Sequence, residues 1–261
     1  MFSYFHSFIK YRRLIWEMAL RDLQVRTKGS LLGLLWIALI PLIQTAVYVF
    51  IILFIFKSKL PGFDTSIDYI AYVLCGQVAW SFISKTMNDA PMLIRSRMEL
   101  VKQVIYPVET LPANSIILGA ISVIITFVIA IGVGLYAGNI SLTIFLMPLP
   151  IILLTLFALG SSWLLMIIGV IFKDISEVIT LFFGLLVYLS PVLLFEGLVS
   201  ETLWTLILLN PFSHIIIVFR DVIFGEFHMM SWFVFSIMSV VSSIVGYYLL
   251  SRFRLIINEH I

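Results

Sequence analysis

The side chains with the most potential for chemistry in this 261-residue chain lie in one stretch, residues 85–112, KTMNDAPMLIRSRMELVKQVIYPVETLP. It carries Lys85, Asp89, Arg95, Arg97, Glu99, Lys102 and Glu109. Charge at that density is excluded from hydrocarbon, so the stretch faces water. Leu93, Ile94, Met98, Val101 and Ile105 recur at helical spacing among Pro91, Pro107 and Pro112. One or two short amphipathic helices offering a docking surface to a cytoplasmic partner fit this pattern. An interfacial helix resting on lipid headgroups fits it equally. Catalysis finds little support. Gln44, Gln77, Asn114, Ser161 and Ser162 form no nucleophile–base set. His214 and Asp221 are about two helical turns apart, too far to pair without a bend, and His214 reads as an interfacial polar residue. The four histidines, His6, His214, His228 and His260, show no metal-ligand spacing, so no metal or cofactor is expected in this chain. Lone Cys75 reads as a small packing residue. No Gly-Lys-Ser/Thr occurs, hence no P-loop and no nucleotide site. The chain is therefore not expected to be an enzyme.

The elements around these residues are apolar. The chain is 62% hydrophobic and 11% charged, where a soluble domain is about 45–50% apolar and about 25% charged. An all-α integral membrane protein of one transmembrane domain, 1–261, is expected. Six spans are predicted, at about 30–56, 69–88, 113–137, 142–172, 178–195 and 229–250, with Pro41 and Gln44 interrupting the first. Of the 16 Lys and Arg residues, thirteen fall in 1–28, 85–112, 173–177 and 251–261, and three on the other side. That bias predicts cytoplasmic termini and a cytoplasmic 85–112 segment. The net charge of +2 is spread over loops and points to topology rather than nucleic acid.

Residues 1–28 lack the short apolar core and small-residue cleavage site of a signal peptide. Trp16, Ala19, Leu20 and Leu23 form one face, and Arg13, Glu17 and Arg21, spaced by four, another. This predicts an amphipathic helix lying in the membrane surface. Residues 196–227 are apolar but broken at Asn210-Pro211 into pieces too short to cross. A pair of interfacial helices or a re-entrant hairpin would satisfy them, and the two pieces about one turn favour the hairpin. Trp80, Trp163, Trp204, Trp232, Tyr247 and Tyr248 near span ends read as belt residues. The spans so drawn hold no ionisable side chain, which leaves no ion-coupling site. Uphill transport would take its energy from a partner. A simple channel or scaffold shares this absence.

Five blocks, in order, resemble the type-2 ABC exporter permeases that secrete polysaccharides. They are LRDLQVRTKGSLLGLLWIALIP (20–41), LVKQVIYPVETLP (100–112), FKDISEV (172–178), YLSPVLLF (188–195) and LNPFSHIIIVFRDVIFG (209–225). Lys173 stands where that family has an arginine, keeping the charge without the bidentate fork. The resemblance implies a homodimer joined to two ATP-binding cassette subunits, which bind the ATP and Mg. It implies a channel for an undecaprenyl-linked polysaccharide in the bacterial inner membrane, most like the O-antigen branch, with capsule and teichoic acid permeases as the alternative. It implies ATPase coupling through Pro91, Met92, Leu93, Ile94, Arg95, Arg97 and Glu99, with Lys173 and Asp174. Trp16, Glu17, Arg21, Asp22 and Arg26 would form the interface helix. Trp36, Tyr48, Tyr188, Pro191, Asn210, Pro211 and Arg220 would belong to the channel or to an extracytoplasmic gate at 198–224.

Overall fold

The structure is a computed structural model that describes residues 7–27, 32, 33, 35–50, 54, 65–97 and 107–260. It is all-helical, with no strand among the described residues. The helices are α1 (Arg12–Thr27), α2 (Leu35–Phe50), α3 (Ser66–Asp89), α4 (Leu111–Ala137), α5 (Pro148–Ile171), α6 (Ile175–Leu186), α7 (Glu201–Leu209), α8 (Pro211–Phe224) and α9 (Met229–His260).

Local chemistry sets the helix ends. Thr65 caps α3, its hydroxyl accepting from the Asp68 amide at 3.3 Å while Asp68 Oδ2 accepts from the Thr65 amide at 2.7 Å. Pro148 opens α5 because the first helical turn needs no amide donor, so the predicted fourth span starts at 148 rather than 142. Residues Leu142–Leu146 form a 3-10 turn instead.

Among the described residues, four helical stretches are long and apolar enough to cross a bilayer: Ser66–Met92, Val108–Ala137, Pro148–Ile171 and Met229–Phe253. Counting the bent pair Glu201–Leu209 and Pro211–Phe224 as one span makes five. The predicted span 30–56 lies partly outside the described residues, which show the helix Leu35–Phe50 within it. Within 178–195 the helical run is Ile175–Leu189, and Ser190-Pro191 ends it. The helix stops there because proline offers no amide to continue it.

The largest core cluster joins α3, α5, α8 and α9 through Leu74, Ile83, Phe157, Ile216 and Phe235, among others. The most extensive packing is between α5 and α9, followed by α3 with α4. Elsewhere α4 and α9 keep bulky apolar residues outward, including Ile124, Val128, Phe233 and Val241. Lipid tails solvate such a surface at no cost, which is why it stays apolar.

Two sequence expectations are corrected. Trp80 and Trp163 are 5% and 6% exposed, so both are core residues rather than belt residues. Trp80 lies 5.8 Å from the Phe183 ring, and Trp163 Nε1 donates to Glu109 O at 3.0 Å. His214 is not interfacial but buried at 8% exposure, with Nδ1 3.0 Å from Ser231 Oγ. A buried imidazole keeps a hydrogen-bond partner, and the start of α9 supplies it.

Candidate functional site

The two ends of α3 carry the polar constellations. At its C-terminal end, Ala90–Met92 and Arg95–Arg97 form 3-10 turns. Leu93 and Ile94 are buried with Ala90, Val108, Leu111, Trp163 and Met166. Pro91 is buried against α5, where a Cβ on Gly169 would sit 2.1 Å from the Pro91 carbonyl oxygen. Arg95 Nη2 donates to Val170 O at 3.3 Å. Of the predicted coupling residues, then, Pro91, Leu93 and Ile94 seat the segment, while Met92, at 45% exposure, points outward. Ser96, Lys173 and Asp174 are also exposed. Glu99 lies outside the described residues.

Arg97 binds this segment to α1. Its guanidinium pairs with Asp22, and neither side chain is fully exposed. With its amide turned to suit its neighbours, buried Asn114 donates to Ile15 O at 2.9 Å and accepts from Arg97 Nη1 at 3.3 Å. Asp89 receives Lys85 Nζ at 2.6 Å and Ser115 Oγ at 3.2 Å. Three chain segments thus meet at one partly buried charge pair.

The packing face of α1 is Ile15 and Ala19, 6% and 1% exposed, against α4. Trp16 and Leu20, predicted on the same face as Ala19, stand outward at 55% and 42%. Two apolar stripes therefore flank this helix, one against protein and one open. Glu17 pairs with Arg13 at 2.8 Å on the exposed side, and Arg21 is exposed. The side chain of Arg26 lies outside the described residues.

Charge reversal Arg97→Glu would set two carboxylates against each other and remove a hydrogen bond to Asn114. Hydrogen bonds to charged groups contribute about 1.5–3 kcal/mol. We expect α1 to detach, read as faster proteolysis between α1 and α2 in the purified protein. The swap Asp22→Arg with Arg97→Asp should restore protection. Equal cleavage of wild type and Arg97→Glu would show that the pair does not hold α1.

At the N-terminal end of α3, Asp68 Oδ1 accepts from Asn139 Nδ2 at 2.7 Å, and Tyr69 OH donates to Leu193 O. Gly138, Asn139, Ile140, Ser141 and Phe224 line a shallow recess beside it. Helices α7 and α8 meet at 99°. Asn210 makes the corner: its Oδ1 accepts from the Phe212 amide at 3.1 Å and its Nδ2 donates to Leu189 O at 3.2 Å. Pro211 fills the first turn of α8 and is exposed; Pro191 is buried.

Every residue from Ser213 to Ile223 is buried. A helix resting on headgroups would keep one face open, so α8 is a core element, not an interfacial helix. It brings Arg220 inside at 3% exposure. Arg220 Nε donates to Tyr72 O at 3.2 Å and Nη2 to Val192 O at 2.9 Å, with the guanidinium 3.4 Å from the centre of the Tyr72 ring. The Val192 carbonyl is open because the chain has left the helix at Ser190-Pro191. Arg220 thus links α3, α8 and the segment after α6.

Of the remaining predicted channel residues, Tyr188 and Trp36 are 67% and 44% exposed. They are not brought together with Arg220. The side chain of Tyr48 lies outside the described residues.

Sequence spacing missed the Asp221–His228–Trp232 group. Asp221 Oδ2 accepts from the His228 amide at 2.9 Å and from Trp232 Nε1 at 3.0 Å, while Oδ1 lies 2.6 Å from His228 Nδ1. The signal available was a buried-facing aspartate just before Gly225, the residue that turns the chain back at φ +82°.

A helical body with four or five stretches long and apolar enough to cross a bilayer defines the class: a multi-pass membrane protein. The ABC-2 type transporter family matches residues 13–224, and the chain belongs to that family. It is similar to the O-antigen export system permease protein RfbA of Klebsiella pneumoniae, 24% identical over 203 residues, 77% of this chain and 76% of that one. The protein of the same name from Myxococcus xanthus is 24% identical over 185 residues, 70% of this chain and 69% of that one. A second Klebsiella pneumoniae sequence of that name is 22% identical over 203 residues. The chain is thus a transporter permease subunit, and its family implies an ATP-binding partner.

Proposed function

We propose that this chain is the channel-forming subunit of an ATP-driven exporter that moves an undecaprenyl-linked polysaccharide, of the O-antigen class, across the bacterial inner membrane. Two copies would enclose the path and two ATP-binding cassette subunits, holding ATP and Mg, would drive it. The termini and the 85–112 segment would face the cytoplasm.

The observation that carries this reading is the seating of residues 90–97. Pro91, Leu93 and Ile94 are buried in the helical body, while Met92 and Ser96 remain exposed. A segment fixed on one side and open on the other can pass a push from a bound protein into α5. The three relatives named as O-antigen export permeases point to the cargo class.

The test is co-expression with an ATP-binding subunit encoded nearby. Met92→Arg with Ser96→Glu should abolish surface polysaccharide and release the ATPase on purification. The melting temperature of the permease should hold, since both positions are exposed. Normal export by this variant would overturn ATPase coupling through 90–97. Export by the permease alone would instead identify an uncoupled channel.

A further inference from the structure

We propose that Asp221, Glu226 and His228 form a binding site for a divalent transition cation of the zinc type at the turn between α8 and α9. One ligand atom from each of the three lies within 4.8 Å of the other two. Donors sharing one zinc ion sit about 2.0–2.2 Å from it, so small rotations of exposed Glu226 and His228 close the set.

Three features of the turn build the site. First, Asp221 is immobile: its side chain is 1% exposed and both oxygens are held by the start of α9. Second, Gly225 at φ +82° ends α8 and folds residues 226–228 back toward the Asp221 carboxylate. Its amide closes the helix on Asp221 O at 2.9 Å. Third, the two carboxylates of Asp221 and Glu226 outnumber the one nearby cation, the Arg220 guanidinium, whose charge reaches Glu226 only through space while its hydrogen bonds go to the Tyr72 and Val192 carbonyls. A cation at the exposed mouth of the turn would balance the remaining negative charge.

The donor set selects the metal class. Calcium and magnesium favour all-oxygen shells, whereas an imidazole with carboxylates suits zinc and its neighbours. Three protein ligands on an exposed turn leave a fourth position for water. The His228 side chain is 51% exposed, so an ion reaches it without the bundle opening. Bound there, the ion would tie the last turn of α8 to the first turn of α9.

The experiment uses the purified full-length permease, stripped with a chelator and titrated with zinc. We expect one zinc retained per chain and a visible absorption band when cobalt replaces it. His228→Ala and Glu226→Gln should each weaken zinc binding by more than about tenfold, since loss of even an outer-shell partner costs about 10–100-fold. Glu226 is exposed and should tolerate Glu226→Gln at the wild-type melting temperature in chelator, whereas His228→Ala also removes the partner of buried Asp221 Oδ1 and should melt somewhat lower, so Glu226→Gln is the variant that isolates zinc binding from stability. Retention of no zinc by the wild type, or equal retention by both variants, overturns the site and leaves Asp221–His228 as a hydrogen-bonded pair only.

Discussion

Replacing Arg220 with methionine is expected to lower the melting temperature of the purified permease by on the order of 5–10 °C and to cut export sharply. Methionine preserves apolar bulk but strands the Val192 carbonyl, which accepts from Arg220 at 2.9 Å, and removes the second bond to Tyr72 O at 3.2 Å, an acceptor that lies within α3. A stranded buried acceptor costs about 1–3 kcal/mol, and for a chain of this size each kcal/mol moves the midpoint by about 2–4 °C. The guanidinium also stacks on the Tyr72 ring. Arg220→Lys should fall between, because one ammonium keeps the charge but cannot span both carbonyls with a planar fork. Thermal unfolding in detergent, with surface polysaccharide as the functional readout, checks both. An Arg220→Met protein that melts and exports as wild type would mean these contacts contribute nothing.

Gly160→Val should be more damaging still, leaving little folded protein in the membrane. Helices α5 and α9 cross with their backbones in contact. A Cβ at Gly160 would sit 2.3 Å from the Ser242 carbonyl carbon and 2.4 Å from the Ser243 amide, and one at Gly246 would sit 2.2 Å from Gly160 O. These neighbours are backbone atoms and cannot rotate away. Ser243 Oγ donates to Leu156 O at 2.8 Å in the same seam, a bond that needs this close approach. Overpacking costs about 1–3 kcal/mol, and more where nothing yields. In lipid the seam has no hydrophobic drive to compensate, because tails solvate the separated helices well. Gly132 and Gly184 are the controls: a Cβ at either meets nothing within 4 Å. Alanine at those two positions should leave expression and melting unchanged, while alanine at Gly160 lowers both. Equal behaviour of all three would refute backbone contact at the crossing.

Much of the helical outline was legible because a bilayer demands it. The stretch after Asp68 through Asn88 reads as apolar and folds as α3. Residues 113–137 read as a span and form α4 from Leu111, ended by Gly138 in the left-handed conformation at φ +74°. The break at Asn210-Pro211 was also visible, since proline cannot continue a helix and asparagine caps the next. What failed was the inside–outside assignment of single residues. Trp80, Trp163 and His214 carry the same sequence signature whether they sit at a headgroup or in a core. Arg220 was expected in the channel or gate, and its partners, Tyr72 and Val192, lie too far off in sequence to be foreseen.

Sequence alone determined that this chain lives in a membrane, that it is helical, where its charges gather and which family it resembles. Those properties follow from composition and local pattern, which each residue carries with it. Only the tertiary structure decided which apolar face meets protein and which meets lipid, because both surroundings are equally oily and periodicity cannot separate them. It also decided the pairings Arg97 with Asp22, Arg220 with the carbonyls of Tyr72 and Val192, and Asp221 with His228. A charge inside an apolar body must find a partner, and where the partner stands depends on how the helices cross.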